Sequence, residues 1–255
     1  MFSNLLLYLE TQKQIKFNNI IIYQIPLNDI LDYNIDKYNM LMLPFLLDID
    51  DFEIQDKSLI QGMNIFDILI LDETTLTMLL NSISFFCKSN EIQFDEQKKV
   101  LYIGDGYIDR NNFAEFAEII LKINAKQKIK REKPPENMSE KQKDIWNKIH
   151  LGRRRTAEKA QVDLADLINV CQYGGDYYIP MSEILQWTMF NISRCYKSVL
   201  GKSNFQELFE IYCVTGENKL IENRHWTDLI KVDDGVNKEE KIWIFLVLRI
   251  VLTLL

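Results

Sequence analysis

The chain changes its hydrophobic rhythm near its middle. Up to about residue 127, short β-branched runs alternate with helical periods; beyond it the pattern is helical throughout. "KFNNIIIYQIP" (16–26) is rich in β-branched residues and stops at Pro26, which predicts a strand. "LNDILDYNIDKYNMLMLPFLLD" (27–48) predicts two short helical stretches interrupted near Pro44. In "DETTLTMLLNSISFFCK" (72–88), Asp72 is an N-cap, and Leu76, Leu79, Leu80, Ile83 and Phe86 share one helical face. "EIQFDEQKKVLYIGDGYI" (91–108) has two alternating runs around a polar "DEQKK", the mark of a hairpin. "GDG" then leads into "DRNNFAEFAEIILKIN", where Asp109 is a candidate cap. Phe113, Phe116, Ile120 and Asn124 follow a period near 3.6.

"KIKREKPPENMSEKQ" is charged, carries Pro134-Pro135 and has no buried face, so it marks a boundary. Ser139 and Gln142 have capping-box spacing and open a helix expected to reach about Cys171, with Gly174-Gly175 as its stop. Further helices are expected at 181–201, ending at Gly201, and at 203–216 and 218–231. The expected architecture is α+β: a small mixed α/β domain (1–127), a Pro-containing linker (128–138), a C-terminal helical bundle (139–231) and an apolar tail (232–255), with helix predominating.

Composition narrows the function classes. Apolar residues at 47% and charged residues at 26% are a globular mixture rather than a disordered one. The net charge of −7 argues against general nucleic-acid binding. That charge is unevenly spread: Lys122–Lys159 holds 13 basic and 5 acidic residues, leaving −15 on the remainder. Within this segment "RRR" (Arg153, Arg154 and Arg155) has three readings: solvated helix surface, a docking patch for an acidic partner, or a nucleic-acid grip using Lys141–Lys159. Consecutive helical residues diverge by about 100° each, and no aromatic residues interleave with them for base stacking. Solvated surface is therefore preferred.

Catalytic groupings are not legible. "IGDGYID" (103–109) lacks the third glycine and the βαβ surroundings of a phosphate loop, so it is read as a turn, with Asp105 and Asp109 as turn and cap residues. His150 and His225 stand far apart and in no ligand-spaced cluster; structural or surface roles are assigned to both, with Trp226 a packing anchor. Cys87, Cys171, Cys195 and Cys213 form no CxxC pair and lie in apolar helical patterns, the usage of reduced core residues in a cytosolic protein. No cofactor or metal is expected. The opening "MFSNLLLYLETQKQ" has neither a basic n-region nor a small-residue cleavage site, which argues against secretion. The run "KIWIFLVLRIVLTLL" (241–255) is too short for a membrane helix and contains Arg249. An anchor, a buried terminal element and an extension translated in a shifted frame remain open for it, and it is expected to be dispensable for folding of 1–231.

Several blocks together carry a resemblance. "IIIYQIPLNDILDYNIDKYNMLMLPFLLD", "FDILILDETTLTMLLNSISFFCKSNEIQFD" and "IDRNNFAEFAEIILKIN" resemble, in order, a family encoded in tail-gene clusters of phages of Gram-positive bacteria. An Arg/Lys-rich helix, "DLADLINVCQYGG", "MSEILQWTMFNISRCYKSVL" and "NRHWTDLIK" continue that order over residues 15–231. The resemblance is to tail assembly chaperones and tail-morphogenesis proteins. It implies a non-enzymatic role in the host cytoplasm, acting on tape-measure or tail-tube protein, and supplies no catalytic residues. A structural virion component, such as a baseplate or connector subunit, is the alternative from the same gene neighbourhood. The family's programmed frameshift would suit the abrupt change after Glu240. For a chaperone, adaptable apolar surface is expected from Met40, Met42, Met63, Met78, Met181 and Met189, although core packing is the commoner role of such residues. Oligomerisation is left open.

Overall fold

The computed structural model describes residues 5–49, 62–128, 138–139, 141–142, 145–146, 148 and 163–215. Arg153–Arg155, His150, His225, the 218–231 helix and the 241–255 run lie outside the described residues. The fold is mixed α+β with helix predominating, its small antiparallel sheets in the N-terminal half and helices after them.

The first elements are α1 (Leu5–Glu10), β1 (Ile15–Phe17) and β2 (Ile20–Ile22). The single strand expected at 16–26 is instead a tight hairpin, because Asn18 and Asn19 both take positive φ (43° and 65°). That is the backbone of a two-residue turn matched to strand twist, and asparagine tolerates it well. Ile15 pairs with Ile22 and Phe17 with Ile20, so all four side chains point into the core while Lys16 and Ile21 face out.

Three short helices follow: α2 (Leu27–Tyr33), α3 (Ile35–Leu41) and α4 (Leu43–Leu46). The break falls at Asn34 rather than at Pro44. Asn34 sits at φ 87°, and its side chain accepts from the Asp36 and Lys37 amides at 2.9 and 3.3 Å, capping α3. Pro44 occupies the first turn of α4, where its missing N–H costs nothing.

Next come α5 (Ile65–Leu69), α6 (Glu73–Cys87), β3 (Ile92–Asp95), β4 (Val100–Ile103), β5 (Gly106–Ile108) and α7 (Phe113–Ile123). Asp72 caps α6 through the Thr75 amide at 3.0 Å, as its position predicts. Strands β3, β4 and β5 form an antiparallel meander in sequence order. The expected hairpin is present, and "GDG" adds a third strand to it, with Gly104 supplying the positive φ of the second turn. The expected α7 face is buried at all four positions. Asn124 there is polar but satisfied: it accepts from the Tyr38 hydroxyl and donates to the Ile120 carbonyl at 2.7 Å.

These elements enclose one core built around phenylalanines. Phe45 stacks on Phe113 with centroids 6.3 Å apart and meets Phe86 and Phe116 edge-on. Phe17 from the first hairpin and Phe66 from α5 extend the cluster. Edge-to-face and offset pairs of this kind add to the stabilisation from burial alone.

Beyond the charged segment, Ser139 and Gln142 form the expected capping box, with bonds of 2.8 and 3.4 Å, and the described residues of 141–148 are helical. The helix expected to run on to Cys171 does not do so unbroken. Asp163 is extended and accepts from the Asp166 amide at 2.8 Å, opening α8 (Leu164–Tyr173) afresh, and Gly174 ends it. After α9 (Met181–Ile184), α10 (Met189–Thr215) runs straight through Gly201 for 27 residues, merging two expected helices. A glycine within a helix costs only about 1 kcal/mol, less than the flanking turns regain.

The helical part is stitched into the first half. The Leu27 and Asn28 amides donate to the Trp187 and Leu185 carbonyls at 2.8 and 2.9 Å, and Pro26 bridges to Thr188. Leu27 packs with Cys171, Ile184 and Ile192, while Phe190 of α10 enters the phenylalanine core. Glu10 of α1 pairs with Arg194 of α10.

Candidate functional site

Two features of the surface could carry function: a polar cleft and an apolar helix end. The cleft, about 400 Å³, lies where the approach to α5 meets the β3–β4 turn and the chain leaving β5. Asp67 and Arg110 meet across it at 3.3 Å. Arg110 also donates to the Gly62 carbonyl at 3.0 Å, and the Asn64 side chain donates to the Arg110 carbonyl at 2.7 Å. Asn64 and Asp67 in turn cap α5 reciprocally, at 2.9 and 3.0 Å.

Two further charged groups of the cleft, Asp109 and Lys98, have partners of their own. Asp109 accepts from the Asn111 and Asn112 amides at 2.9 and 3.0 Å; the helix cap itself is Asn112. Lys98 pairs with Asp95 at 3.4 Å. The Lys98 backbone amide holds the Asp95 carboxyl below its ordinary pKa, and the bond to Asp95 raises that of the Lys98 ammonium. The cleft is a clamp that fixes the start of α5 to the β5–α7 corner. Among the described residues, no group of three or more His, Cys, Asp or Glu side chains is placed to hold a metal ion, and no helix is long and apolar enough to cross a membrane.

The second feature is more distinctive. Residues 202–215 of α10 include no buried side chain, although they contain Phe205, Leu208, Phe209, Ile211, Tyr212 and Val214. At 1.5 Å per residue, these 14 positions extend about 21 Å. Phe209 and Ile211 are nearly half exposed and Val214 is 88% exposed. Phe205, Phe209 and Tyr212 stand at helical spacings of four and three, and their rings form a chain with centroids 6.4 and 6.2 Å apart.

A tyrosine loop adjoins the base of this helix segment. Tyr173, Tyr177 and Tyr178 are 65%, 84% and 61% exposed, and Tyr173 and Tyr178 lie 5.6 Å apart. The loop is held in place by the Asp176–Lys202 ion pair. Its glycine also matters: a Cβ on Gly174 would lie 2.8 Å from Val199 Cγ1 and 2.7 Å from the Val170 carbonyl oxygen. Loop and helix thus approach closely at Val199 and Lys202, where the exposed stretch of α10 begins. Large exposed apolar patches of this kind mark contact sites.

The methionines contribute only partly. Met40 and Met181 are exposed, Met42 is fully buried, and Met63, Met78 and Met189 are half-buried, the last two against the core. The cysteines divide likewise: Cys87 and Cys171 are buried, Cys195 is half-buried and Cys213 is exposed, all as free thiols. Sequence reading missed the aromatic surface because it expected each helix to hide its apolar residues. The available signal was that 203–216 has apolar residues on several sides rather than one stripe. No family model, no curated protein and no solved structure matches the chain.

Proposed function

We propose that this chain is a non-enzymatic tail assembly chaperone, holding apolar helical segments of a tape-measure or tail-tube protein while a phage tail grows in the host cytoplasm. The observation that carries the reading is the exposed surface of α10 together with the tyrosine loop. It is a helix end without a buried side chain, rich in aromatic groups, on an acidic chain of net charge −7. An amphipathic helix laid along such a surface would exchange two apolar faces for one shared interface. Aromatic anchors supply much contact area for little loss of rotamer freedom, which suits a holder of several related segments. The ordered block resemblance over residues 15–231 supports the same role, and Arg153–Arg155 are its candidate second contact, for acidic stretches of the client.

Co-expression with the neighbouring tape-measure protein tests the reading. The client is expected to stay soluble and to co-purify with the chain, and to do neither when expressed alone. A client equally insoluble with and without the chain counts against the proposal. Mass spectrometry of finished virions separates it from a baseplate or connector role, since a chaperone is absent from particles. An electrophoretic shift with duplex DNA at low salt, abolished by alanine at Arg153–Arg155, would favour nucleic-acid binding instead.

A further inference from the structure

The outer end of α10 has a second face besides its aromatic one. At about 100° per residue, Leu208, Phe209 and Tyr212 all lie within about 60° of Phe205 around the helix and form the ring-bearing face. Glu210, Val214, Glu207 and Ile211 fall between about 140° and about 240° from Phe205, on the far side. Exposure divides the same way. Phe205, Leu208 and Tyr212 are half-buried, whereas Glu207, Glu210, Ile211 and Val214 are all exposed.

Two features of this far face are costly on a helix that meets only water. Ile211 and Val214 are β-branched, which a helix tolerates less well than alanine or lysine, and Val214 is 88% exposed. Glu207 and Glu210 stand three positions apart, like charge beside like charge. Residues 203–215 contain no Lys, Arg or His. Neither glutamate has an ion-pair partner among the described residues, and the nearest cation along the helix, Lys202, pairs with Asp176 of the tyrosine loop. The spacing joins the two features. Ile211 follows Glu207, and Val214 follows Glu210, by four positions, so each aliphatic side chain lies one turn beyond an unpaired carboxylate.

We propose that the partner of this face is a basic amphipathic helix. Its apolar residues cover Ile211 and Val214, while Lys or Arg side chains one turn away meet Glu207 and Glu210. The assignment rests on the chaperone reading and specifies which segments of a client the chain selects. Apolar contact alone accepts any amphipathic segment, whereas two unpaired carboxylates repel an acidic one and favour a basic one. Because the two faces lie on opposite sides of α10, engagement of the rings leaves the acidic face open.

Two designed peptides test the proposal. Both carry one apolar stripe, flanked by lysines in the first and by glutamates in the second. The full chain should be titrated with each by calorimetry, at low and at high salt. At low salt the lysine peptide is expected to bind roughly 10-fold tighter, since each of two contacts changes from repulsion to attraction. That advantage should shrink as salt screens the charges. In Glu207→Lys with Glu210→Lys the preference should reverse; both positions are exposed, so the variant should keep the native circular dichroism spectrum. Equal affinities for the two peptides would overturn the charge selection and leave the holding surface intact. A lysine preference that survives the double variant would overturn it too, by placing the selection elsewhere on the acidic chain. Failure of both peptides to bind would remove the proposal and the chaperone reading together. The chain alone should also be treated with a carbodiimide, and both glutamates are expected to be recovered unjoined. Either glutamate joined to a lysine of the same chain or of a second copy would make the face self-occupied and overturn the assignment.

Discussion

Replacing Leu27 by alanine should weaken the whole molecule, not the helical part alone. Leu27 opens α2 in the first half, is 0% exposed, and packs with Cys171, Ile184 and Ile192 of the second. The substitution removes three carbon groups at about 0.8 kcal/mol each, or roughly 2.4 kcal/mol of transfer free energy. A cavity term is added because α2 is held by the backbone bonds from Leu27 and Asn28 to the α9–α10 connection and cannot collapse inward. A total near 3 kcal/mol falls within the range measured for buried leucines. For a chain of this size, that lowers Tm by roughly 6–12 °C. Phe190→Ala, made from the other side of the joint, should cost about 3–5 kcal/mol. Calorimetry combined with hydrogen exchange read separately on α7 and α8 provides the assay. Both helices should lose protection together in each variant, within one transition. Two transitions, with Leu27→Ala shifting only the one that reports α8, would refute a shared core.

Three further outcomes follow from single sites. Gly106→Ala places a Cβ 2.4 Å from Ile20 Cγ1 and 2.6 Å from the Asn18 carbonyl oxygen, so the first hairpin must shift off the meander. A loss of about 1–3 kcal/mol by urea titration is expected, and an unchanged midpoint would contradict the packing. Asn34→Ala loses a side-chain cap at φ 87° and should cost about 1–2 kcal/mol, against only a few tenths for Asn34→Gly, which keeps the conformational freedom; equal losses would show that the positive φ is unimportant. At alkaline pH, Cys87 should destabilise the fold. Its thiol titrates near 9 when unfolded and at about 12 when buried, so between these values the unfolded state sheds the proton first. Stability then falls by up to about 1.4 kcal/mol per pH unit across that window. Buried Tyr38, whose hydroxyl pKa is also raised by burial, acts in the same direction. Cys87→Ala should flatten the Cys87 part of the slope, and an identical slope would rule out this source.

What could be read from the sequence was whatever a local pattern decides. The Asp72 cap, the Ser139–Gln142 box, the α7 face and the β3–β4 hairpin depend on neighbours within a few residues, and all are present. The misread elements depend on competition between local signals. Pro44 resembled a breaker, but a first-turn position suits it, and the real break lies at Asn34, whose side chain closes the next helix. Gly201 resembled a stop, yet it lies within α10. The "NN" of 18–19 was hidden inside a β-branched run that looked continuous. Contacts between distant positions were beyond such reading. Nothing local pairs Leu27 with Ile192, Cys171 with the Ile192 carbonyl, or Arg110 with Asp67. The exposed rings of α10 went unnoticed for a related reason: an apolar helix looks the same in sequence whether its partner is the protein's own core or another chain.

Whether the α10 surface holds an apolar helical client, as proposed, can be decided by titration. The full chain and a double variant, Phe209→Glu with Val214→Glu, should each be titrated with an amphipathic segment of the tape-measure protein by calorimetry. Both positions are exposed, so the variant should keep the native circular dichroism spectrum and Tm. Removal of anchors worth about 2 kcal/mol or more should weaken binding at least about 30-fold. Equal affinity for the two proteins, or no binding by the unaltered chain, would rule out α10 as the holding surface.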